Sequence, residues 1–140
     1  MEIRVFQPAD ETAVIDIWSR CGLLRAWNDP RKDIARKLSV QPELFLVGTE
    51  NDRIVGTVMA GYDGHRGWIN YLAVDPESRR QGYGRALMGA VEQCLQAVGC
   101  PKINLQIRQD NLAATKFYAR IGFAPDAVVS FGKRLVEDES

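Results

Sequence analysis

Two glycines and three arginines lie close together in the middle of the chain. Gly82 and Gly84 follow Arg79 and Arg80, and Arg85 comes directly after them. The preceding segment has the pattern of a strand and the following segment that of a long helix. The first turn of a helix has unpaired N–H groups and a partial positive charge, and glycine lets a bulky anion approach the backbone. The segment therefore predicts a pyrophosphate site, with a tight turn carrying solvated arginines as the alternative.

This glycine pattern matches neither of two common nucleotide-binding motifs. The third glycine and the downstream ribose-binding acid of the dinucleotide fingerprint are missing, and no Gly-Lys-Ser/Thr follows as in a Walker loop. A bare Gly-x-Gly is weak evidence for a phosphate site, so other parts of the chain are needed to distinguish a pyrophosphate site from a tight turn.

The single histidine, His65, is a second candidate, because its unperturbed pKa near 6.5 suits a general base. It lies in the glycine-rich stretch Asp63–Gly67, which predicts a hairpin turn. We therefore favour a solvated turn residue for His65 and an Asx-turn role for Asp63.

Composition excludes several classes of protein. The chain has 140 residues, of which 46% are hydrophobic, and 18 basic residues balance 18 acidic ones. A nucleic-acid binder usually shows a basic excess, so no nucleic-acid partner is expected. No apolar run approaches the roughly 20 residues that span a bilayer, and the first residues do not resemble a secretion leader. Cys21, Cys94 and Cys100 lack disulfide or zinc spacing, so we expect a cytoplasmic, metal-free protein without a membrane partner.

Hydrophobic periodicity predicts alternating strands and helices. The strands are expected at Glu2–Val5, Leu44–Val47, Arg53–Ala60, Trp68–Val74, Ile103–Ile107 and Val128–Leu135, with a short extra strand near Phe123. The helices are expected from Asp10 as N-cap to Gly22, from Pro30 to about Leu38, from about Leu87 to Gly99, and from Asn111 to Gly122. This order predicts one α/β (α+β) domain over residues 1–140 with a mixed sheet.

Two stretches resemble motifs of the GNAT superfamily of N-acetyltransferases. The residues from Leu72 to Gly84 read Leu-x-Val-x-Pro-x-x-Arg-x-x-Gly-x-Gly, like the acetyl-CoA loop of that family. The residues from Asn111 to Phe123 read Asn-x-x-Ala-x-x-Phe-Tyr-x-x-x-Gly-Phe, like its second motif. Residues 27–30, 61–67 and 132–135 further resemble the bacterial YpeA-type branch.

The resemblance implies a single GNAT-like domain with a mostly antiparallel sheet flanked by helices. A V-shaped splay is expected between the strand of Leu72 and the strand at Ile103–Ile107, where the pantetheine arm of acetyl-CoA would lie. The cofactor-binding residues that it implies are Leu72, Ala73, Val74, Arg79, Arg80, Gln81, Gly82, Tyr83, Gly84, Arg85 and Asn111. Asn111 is alternatively a helix N-cap.

Tyr118 matches the tyrosine that the family uses as general acid toward the departing CoA thiolate. An unperturbed phenol pKa near 10 roughly suits a thiol leaving group of pKa about 8.5. The alternative is a core aromatic, a role that Phe117 fits better. A strand N–H near Leu72 is implied as donor to the developing oxyanion.

The chain departs from the family pattern at Gln106. Several peptide-acetylating relatives carry a glutamate base five positions before the second-motif asparagine, and an amide cannot take up that proton. Asn70, expected on the facing strand, is also non-ionisable, so either amide is a candidate for ordering a water that relays the proton. Trp27 and Asn28 are candidates for the acceptor pocket, and Trp27 is alternatively a helix staple.

Trp68 and Tyr71 are expected to pack on the sheet. The resulting hypothesis is an acetyl-CoA-dependent N-acetyltransferase that acts on a primary amine of a small molecule or a peptide. The alternative is a CoA-binding or partner-binding module on the same fold, which the missing base favours and Tyr118 disfavours. The sequence identifies neither the acceptor amine nor the general base, and it leaves a homodimer open.

Overall fold

The computed structural model describes residues 1–138. They form two compact units, one of Met1–Leu105 together with Asp138 and one of Gln106–Glu137. The strands of the first unit are β1 (Glu2–Val5), β2 (Phe45–Glu50), β3 (Arg53–Tyr62), β4 (Gly67–Val74) and β5 (Ile103–Leu105). Its α-helices are α1 (Glu11–Arg20), α2 (Pro30–Leu38) and α3 (Tyr83–Ala97), and the second unit contains α4 (Leu112–Arg120). The last two positions of the predicted domain, 139 and 140, lie outside the described residues.

The sheet has the strand order β1-β2-β3-β4-β5. The first four strands form antiparallel pairs, whereas β4 and β5 are parallel because α3 connects them. Pairing between β4 and β5 covers only Gly67–Ile69 against Ile103–Leu105, although β4 continues to Val74. The mixed, mostly antiparallel sheet with a splay beside β4 is confirmed.

Helices cover both faces of this sheet. Neighbouring residues of a strand point to opposite faces. A Cβ at Gly56 would lie 2.8 Å from Leu87 of α3, while the next side chain, Thr57, accepts a hydrogen bond from Trp18 of α1. On the α1 face Phe6 stacks on Phe45 with ring centroids 4.4 Å apart. Each fully buried large apolar side chain contributes about 1.5–3 kcal/mol.

Local signals in the sequence located several elements. The Asp29 side chain accepts from the N–H groups of Arg31 (2.9 Å) and Lys32 (3.4 Å), and Pro30 occupies the first position of α2. Asn51, at φ +51°, is left-handed as the turn between β2 and β3 requires. The predicted capping of α1 is wrong in detail, because the carboxylate of Asp10 binds Arg4 at 2.7 Å instead of a helix N–H.

The C-terminal strand predicted at Val128–Leu135 is wrong, and so is the short strand near Phe123. Residues 123–137 are irregular, and Phe131 and Leu135 are 92% and 88% exposed. A strand needs a neighbour for its backbone and an apolar surface for one face, and the described residues of this unit include no other strand. The strand predicted to reach Ile107 ends at Leu105, so Gln106 follows β5 instead of belonging to it.

Asp138 ties the end of the chain to α2. Its fully buried carboxylate accepts from Arg36 at 2.6 and 3.1 Å and from the backbone N–H of Asp29 at 3.2 Å. We expect Asp138→Asn to lower the free energy of unfolding by about 1–3 kcal/mol, because a buried carboxylate loses the charge that pairs with Arg36. Chemical denaturation measures this loss.

Glu137→Gln is the matched control, since it removes an exposed carboxylate one position earlier. It should change the unfolding free energy by no more than about 0.5 kcal/mol. Equal stability of the two variants would show that the Asp138 contact does not hold the chain end in place.

Candidate active site

The connection between β4 and α3 passes through two left-handed residues. After Val74 a short 3-10 turn covers Pro76–Ser78, and Arg80 then adopts φ +66°. Gly82, at φ +77°, is the N-cap of α3. A Cβ at Gly82 would meet no described atom within 4 Å, so glycine leaves open space above the helix start.

The first turn of α3 has no side-chain cap. Gly82 has no side chain, and no acidic residue lies in the turn. The N–H of Ala86 donates to the carbonyl of Gly82 at 3.0 Å, so the N–H groups of positions 83–85 precede the first intrahelical bond. Together with the partial positive charge of the helix start, these donors can bind an anion such as a pyrophosphate.

Three arginines surround this helix start. Arg79, Arg80 and Arg85 are exposed, and no carboxylate of residues 1–138 forms a salt bridge with them. The side chains of Gln81 and Tyr83 bind each other, with the phenol oxygen 3.0 Å from the amide oxygen. Arg79 donates only a weak bond to the Cys21 thiol, at 3.6 Å, so the guanidinium groups are available to a phosphorylated ligand.

An ion pair between α1 and the loop holds the loop in place. The Arg20 guanidinium donates to both carboxylate oxygens of Asp75, at 2.8 and 3.0 Å. The Asp75 side chain is only 3% exposed and also accepts from the N–H of Glu77 at 2.9 Å. Arg20 is the main cause of a lowered Asp75 pKa. The same helix end reaches β4 again, where the Cys21 thiol donates to the carbonyl of Val74 at 3.3 Å.

Strand β4 contains a bulge just before the loop. Thr57 pairs with Ala73 and Met59 with Asn70, so β4 has one more residue than β3 over this stretch. Tyr71 lies in the bulge at φ +53°, a conformation that costs a non-glycine residue about 1–3 kcal/mol. The sequence around Tyr71 contains no glycine that would have predicted this conformation.

A buried side-chain network stabilises the bulge. The Trp18 indole donates to the Thr57 hydroxyl at 3.0 Å, and that hydroxyl donates to the carbonyl of Tyr71 at 2.8 Å. The rings of Trp18 and Tyr71 stack with centroids 3.8 Å apart. The Tyr71 hydroxyl donates to Asp33 at 2.7 Å, and burial and this carboxylate raise the Tyr71 pKa well above its usual value. The expectation that Tyr71 packs on the sheet is confirmed, and sequence reasoning missed its strain.

Asn70 lies on β4 immediately before the bulge and is exposed. Trp68, two positions earlier, was predicted to pack on the sheet; it is 39% exposed and lines an open pocket with Asn70. The turn that follows β3 is confirmed, since Asp63 accepts from the N–H groups of His65 and Arg66, each at 2.7 Å. His65, the other candidate residue of this turn, is exposed to solvent, as predicted.

The second unit carries the remaining predicted residues. Tyr118 packs edge-to-face against Phe117 and Phe123, with ring centroids 5.1 and 5.6 Å away, and burial raises its pKa to about 12. Asn111 is the N-cap of α4 and accepts from the N–H of Ala114 at 3.0 Å, which confirms its capping role. The exposed Gln106 donates to the hydroxyl of Ser130.

The structure brings the predicted loop residues together at one helix start. Leu72, Ala73 and Val74 form the free end of β4, and the glycines and arginines follow in the same connection. Sequence reasoning missed the Arg20–Asp75 pair and the Trp18–Thr57 network, because these partners are 55 and 39 positions apart. Only the apolar spacing of α1 indicated that Trp18 was buried.

Residues 1–138 show no candidate metal cluster and no candidate membrane helix. No group of three or more His, Cys, Asp or Glu side chains there could hold a metal ion. None of the helices in that part of the chain is long and apolar enough to span a membrane.

Comparison with known proteins identifies related sequences and structures. The profile of the acetyltransferase (GNAT) family matches residues 11–123. A protein named Acetyltransferase from Pectobacterium atrosepticum is 51% identical over 99% of this chain and 98% of its own length. The crystal structure of Ard1 from Thermoplasma volcanium has a TM-score of 0.78 at 31% identity, over 90% of this chain and 84% of that one. A ribosomal-protein alanine N-acetyltransferase from Escherichia coli has a TM-score of 0.74 at 26% identity, over 90% and 79%.

The Arg20–Asp75 pair gives a prediction for the loop. We expect Asp75→Asn to speed hydrogen exchange at the amide of Glu77 and to lower stability by about 1–3 kcal/mol, since a buried acceptor loses its charge. The stability that Asp75 contributes should be present above pH 3.8 and be lost as pH falls through its lowered pKa.

Asp16→Asn is the matched control, because Asp16 also contacts Arg20, at 2.9 Å, but is 62% exposed. That change should cost no more than about 0.5 kcal/mol. If both variants exchanged at the parent rate, the ion pair would have no role in fixing the loop.

Proposed function

Because this chain belongs to the acetyltransferase (GNAT) family, we propose that it transfers the acetyl group of acetyl-CoA to a primary amine. The acceptor is a small molecule or a peptide. The observation that carries the proposal is the glycine-capped start of α3, where unpaired N–H groups and three exposed arginines lie together. The roles of single residues toward the cofactor and the acceptor are part of the same proposal.

The residues present fit the diphosphate of acetyl-CoA. Gly82 supplies no side chain that would compete for the first-turn donors. No described atom lies within 4 Å of its Cβ position, which leaves room for a phosphate. Acetyl-CoA supplies an activated acetyl thioester, with CoA thiol as the leaving group. We assign the loop backbone of Arg79, Arg80, Gln81, Gly82, Tyr83 and Gly84 to the diphosphate, with Arg85 beside it.

The free edge of β4 fits the pantetheine arm. β5 pairs with β4 only as far as Ile69, so Leu72, Ala73 and Val74 have backbone groups without a strand partner on that side. Amides of a ligand can pair with such an edge as a further strand would. We propose that this edge binds the arm, that Leu72 N–H orients the reacting carbonyl, and that Asn111 assists while capping α4.

Tyr118 is the proposed general acid. Burial raises its pKa to about 12, so the phenol keeps its proton throughout the neutral and mildly alkaline range. A phenol that stays protonated can donate a hydrogen bond, and then its proton, to a leaving group on which negative charge develops. Its ring is held between Phe117 and Phe123, which limits its rotation.

No ionisable base is proposed. Asn70 and Gln106 are both amides, and Gln106 already donates to the Ser130 hydroxyl. The acceptor amine must be neutral to attack. We propose that it loses its proton to solvent through a water held by Asn70 or Gln106, so activity should rise with pH as the amine deprotonates.

A CoA-binding module without turnover is the second candidate, and the absence of an ionisable side chain at Gln106 and Asn70 favours it. The name of one structural relative supports an amine acceptor, since it is a ribosomal-protein alanine N-acetyltransferase, and the curated sequence relatives named Acetyltransferase support acetyl transfer. A single domain over residues 1–140, membership of the YpeA-type branch and a homodimer are further proposals from the sequence.

The loop assignment predicts the effect of a charge at Gly82. Gly82→Glu should raise the Kd for acetyl-CoA about 100-fold, on the order of 3 kcal/mol, because it fills the open space and repels the diphosphate. Isothermal titration calorimetry measures the change. Gly82→Ala should have a smaller effect, since it adds only backbone strain.

Gly99→Glu is the control for strain and charge. Gly99 lies at the other end of α3 with φ +83° and the same open surroundings. Its variant should bind acetyl-CoA as the parent does. A folded Gly82→Glu protein with parental affinity would disprove the assignment of the loop to the diphosphate.

The acid assignment predicts a loss of turnover without a matching loss of affinity. Tyr118→Phe should lower kcat by about 10²–10⁴-fold, the range of general acid catalysis, with less than a threefold change in the Kd for acetyl-CoA. In the parent, the pH profile of kcat should show no decrease caused by Tyr118 between pH 6 and pH 10, because burial raises the pKa of Tyr118 to about 12. An unchanged kcat in the variant would exclude Tyr118 from the mechanism.

A further inference from the structure

The open pocket lined by Trp68 and Asn70 lies on the α2 side of the sheet. It has a volume of about 260 Å³, which suits a small molecule or a very short peptide. The wall is formed by the end of α2, the last residues of β3 and the first half of β4. The residues that matter here are Lys37, Gln41, Tyr62, Asp63, Trp68 and Asn70.

The pocket exists because β3 is longer than β2. The last pair between them is Phe45 with Met59, so the backbone of β3 beyond that point has no partner in β2. Lys37 donates through Nζ to the carbonyl of Ala60. The Gln41 side chain substitutes for a strand, accepting from the N–H of Tyr62 at 2.8 Å and donating to its carbonyl at 3.0 Å.

Lys37 has unused hydrogen-bonding capacity. An ammonium group has three N–H donors, and the carbonyl of Ala60 takes one of them. The residue is only 9% exposed, and burial lowers its pKa. No carboxylate of residues 1–138 lies within 4.0 Å of Nζ, although Glu43 offsets part of the effect from farther away. A buried cation without a counter-ion is unfavourable, and an anion bound beside it would remove that cost.

The pocket also contains a carboxylate, that of Asp63. This group is an anion that already accepts several hydrogen bonds, because its Oδ1 accepts from the N–H groups of His65 and Arg66 and the Trp68 side chain also donates to the group. These bonds lower the Asp63 pKa. The pocket therefore offers an under-used cation at Lys37 and an anion at Asp63 that is stabilised by its own donors, which favours an anionic ligand at the lysine.

The pocket adjoins the proposed reaction centre. Asn70 lines the pocket and directly precedes the bulge at Tyr71. Ala60, which holds the lysine ammonium, pairs with Ile69, three positions before Leu72. The offset along β4 is about 10 Å at 3.3 Å per strand residue. The Ala60 carbonyl faces the edge of β3 opposite β4, as do the Tyr62 groups that Gln41 binds, so the ammonium also lies about two strand spacings to the side of β4 and roughly 13 Å from the Leu72 N–H. Contacts of about 3 Å at the two ends of the ligand leave roughly 7–10 Å between its carboxylate and its amine. One ligand of a few residues could span that distance.

We propose that Lys37 binds the carboxylate of the acceptor, so that the substrates are amines with a carboxylate about 7–10 Å away. Such molecules are ω-amino acids with a lysine-like spacing and peptides of two or three residues acetylated at their N-terminus. This inference rests on the proposed function, which places the reacting amine near Leu72. Trp68 and Tyr62 provide flat apolar surface for the intervening chain.

A ladder of substrates tests the spacing. The rate of acetyl-CoA consumption is measured with ω-amino acids of increasing length, from glycine to 8-aminooctanoate, and with n-alkylamines of the same lengths. We expect kcat/KM to peak near 6-aminohexanoate and to exceed that of hexylamine at least tenfold. Triglycine and triglycinamide form the peptide arm, in which a tenfold preference for the free carboxylate identifies short peptides as the source.

Lys37→Gln is the diagnostic variant, because it retains a donor toward Ala60 while removing the charge. It should reduce the preference for 6-aminohexanoate over hexylamine to less than twofold, with hexylamine turnover unchanged. Lys32→Gln removes a charge from an exposed position of the same helix and should keep the full preference. An unchanged preference in a folded Lys37→Gln protein would overturn the proposal.

A binding measurement separates this inference from the proposed function. Hexanoate, which has no amine, is titrated into wild-type protein while the indole N–H resonance of Trp68 is followed by NMR. Saturable shifts at Trp68, weakened at least tenfold by Lys37→Gln, support the carboxylate site even if no amine is acetylated. Turnover of amines without a carboxylate preference, together with no shift at Trp68, would refute the site while leaving the acetyltransferase proposal intact.

Discussion

A left-handed residue in the middle of β4 is the constraint on which the rest of the molecule depends. Tyr71 cannot adopt φ +53° without a cost, and the buried pair of Trp18 and Thr57 compensates by binding its carbonyl and stacking on its ring. The bulge that results bends β4, and pairing with β5 ends two positions before it. The bulge and the short β5 together leave the end of β4 with a free edge on that side.

The same helix fixes both ends of the site. Trp18 of α1 reaches the bulge, and Arg20, half a turn later, reaches Asp75 at the start of the loop. Cys21 completes the series by donating to the carbonyl of Val74 between them. Since these contacts lie within the last turn and C-cap of one rigid element, a shift of α1 would move the strand edge and the loop together. Contacts from α1 therefore position the backbone donors of the strand edge and the loop, and none of the proposed catalytic side chains is needed to hold them.

Sequence reasoning predicted the elements whose signals are local. The start of α2 at Pro30, the turn at Asp63 and the glycine start of α3 each depend on residues within a few positions, and all three are found. The bulge at Tyr71 was not predicted, because it is stabilised by Trp18, 53 positions away, and nothing in the neighbouring sequence requires it. The predicted C-terminal strand failed for the opposite reason, since its alternating residues suit a strand but its unit contains no described strand to pair with. The exposure of Trp68 could not be predicted from the sequence either, because the periodicity of a strand does not reveal which part of the sheet a helix leaves uncovered.

The central claim is that backbone donors at the start of α3 bind the diphosphate of acetyl-CoA. An NMR titration of the nitrogen-15-labelled protein with CoA tests it most directly. The account predicts saturable shifts that are largest at the amides of residues 79–85, whereas unperturbed amides in that segment at saturating CoA would contradict it.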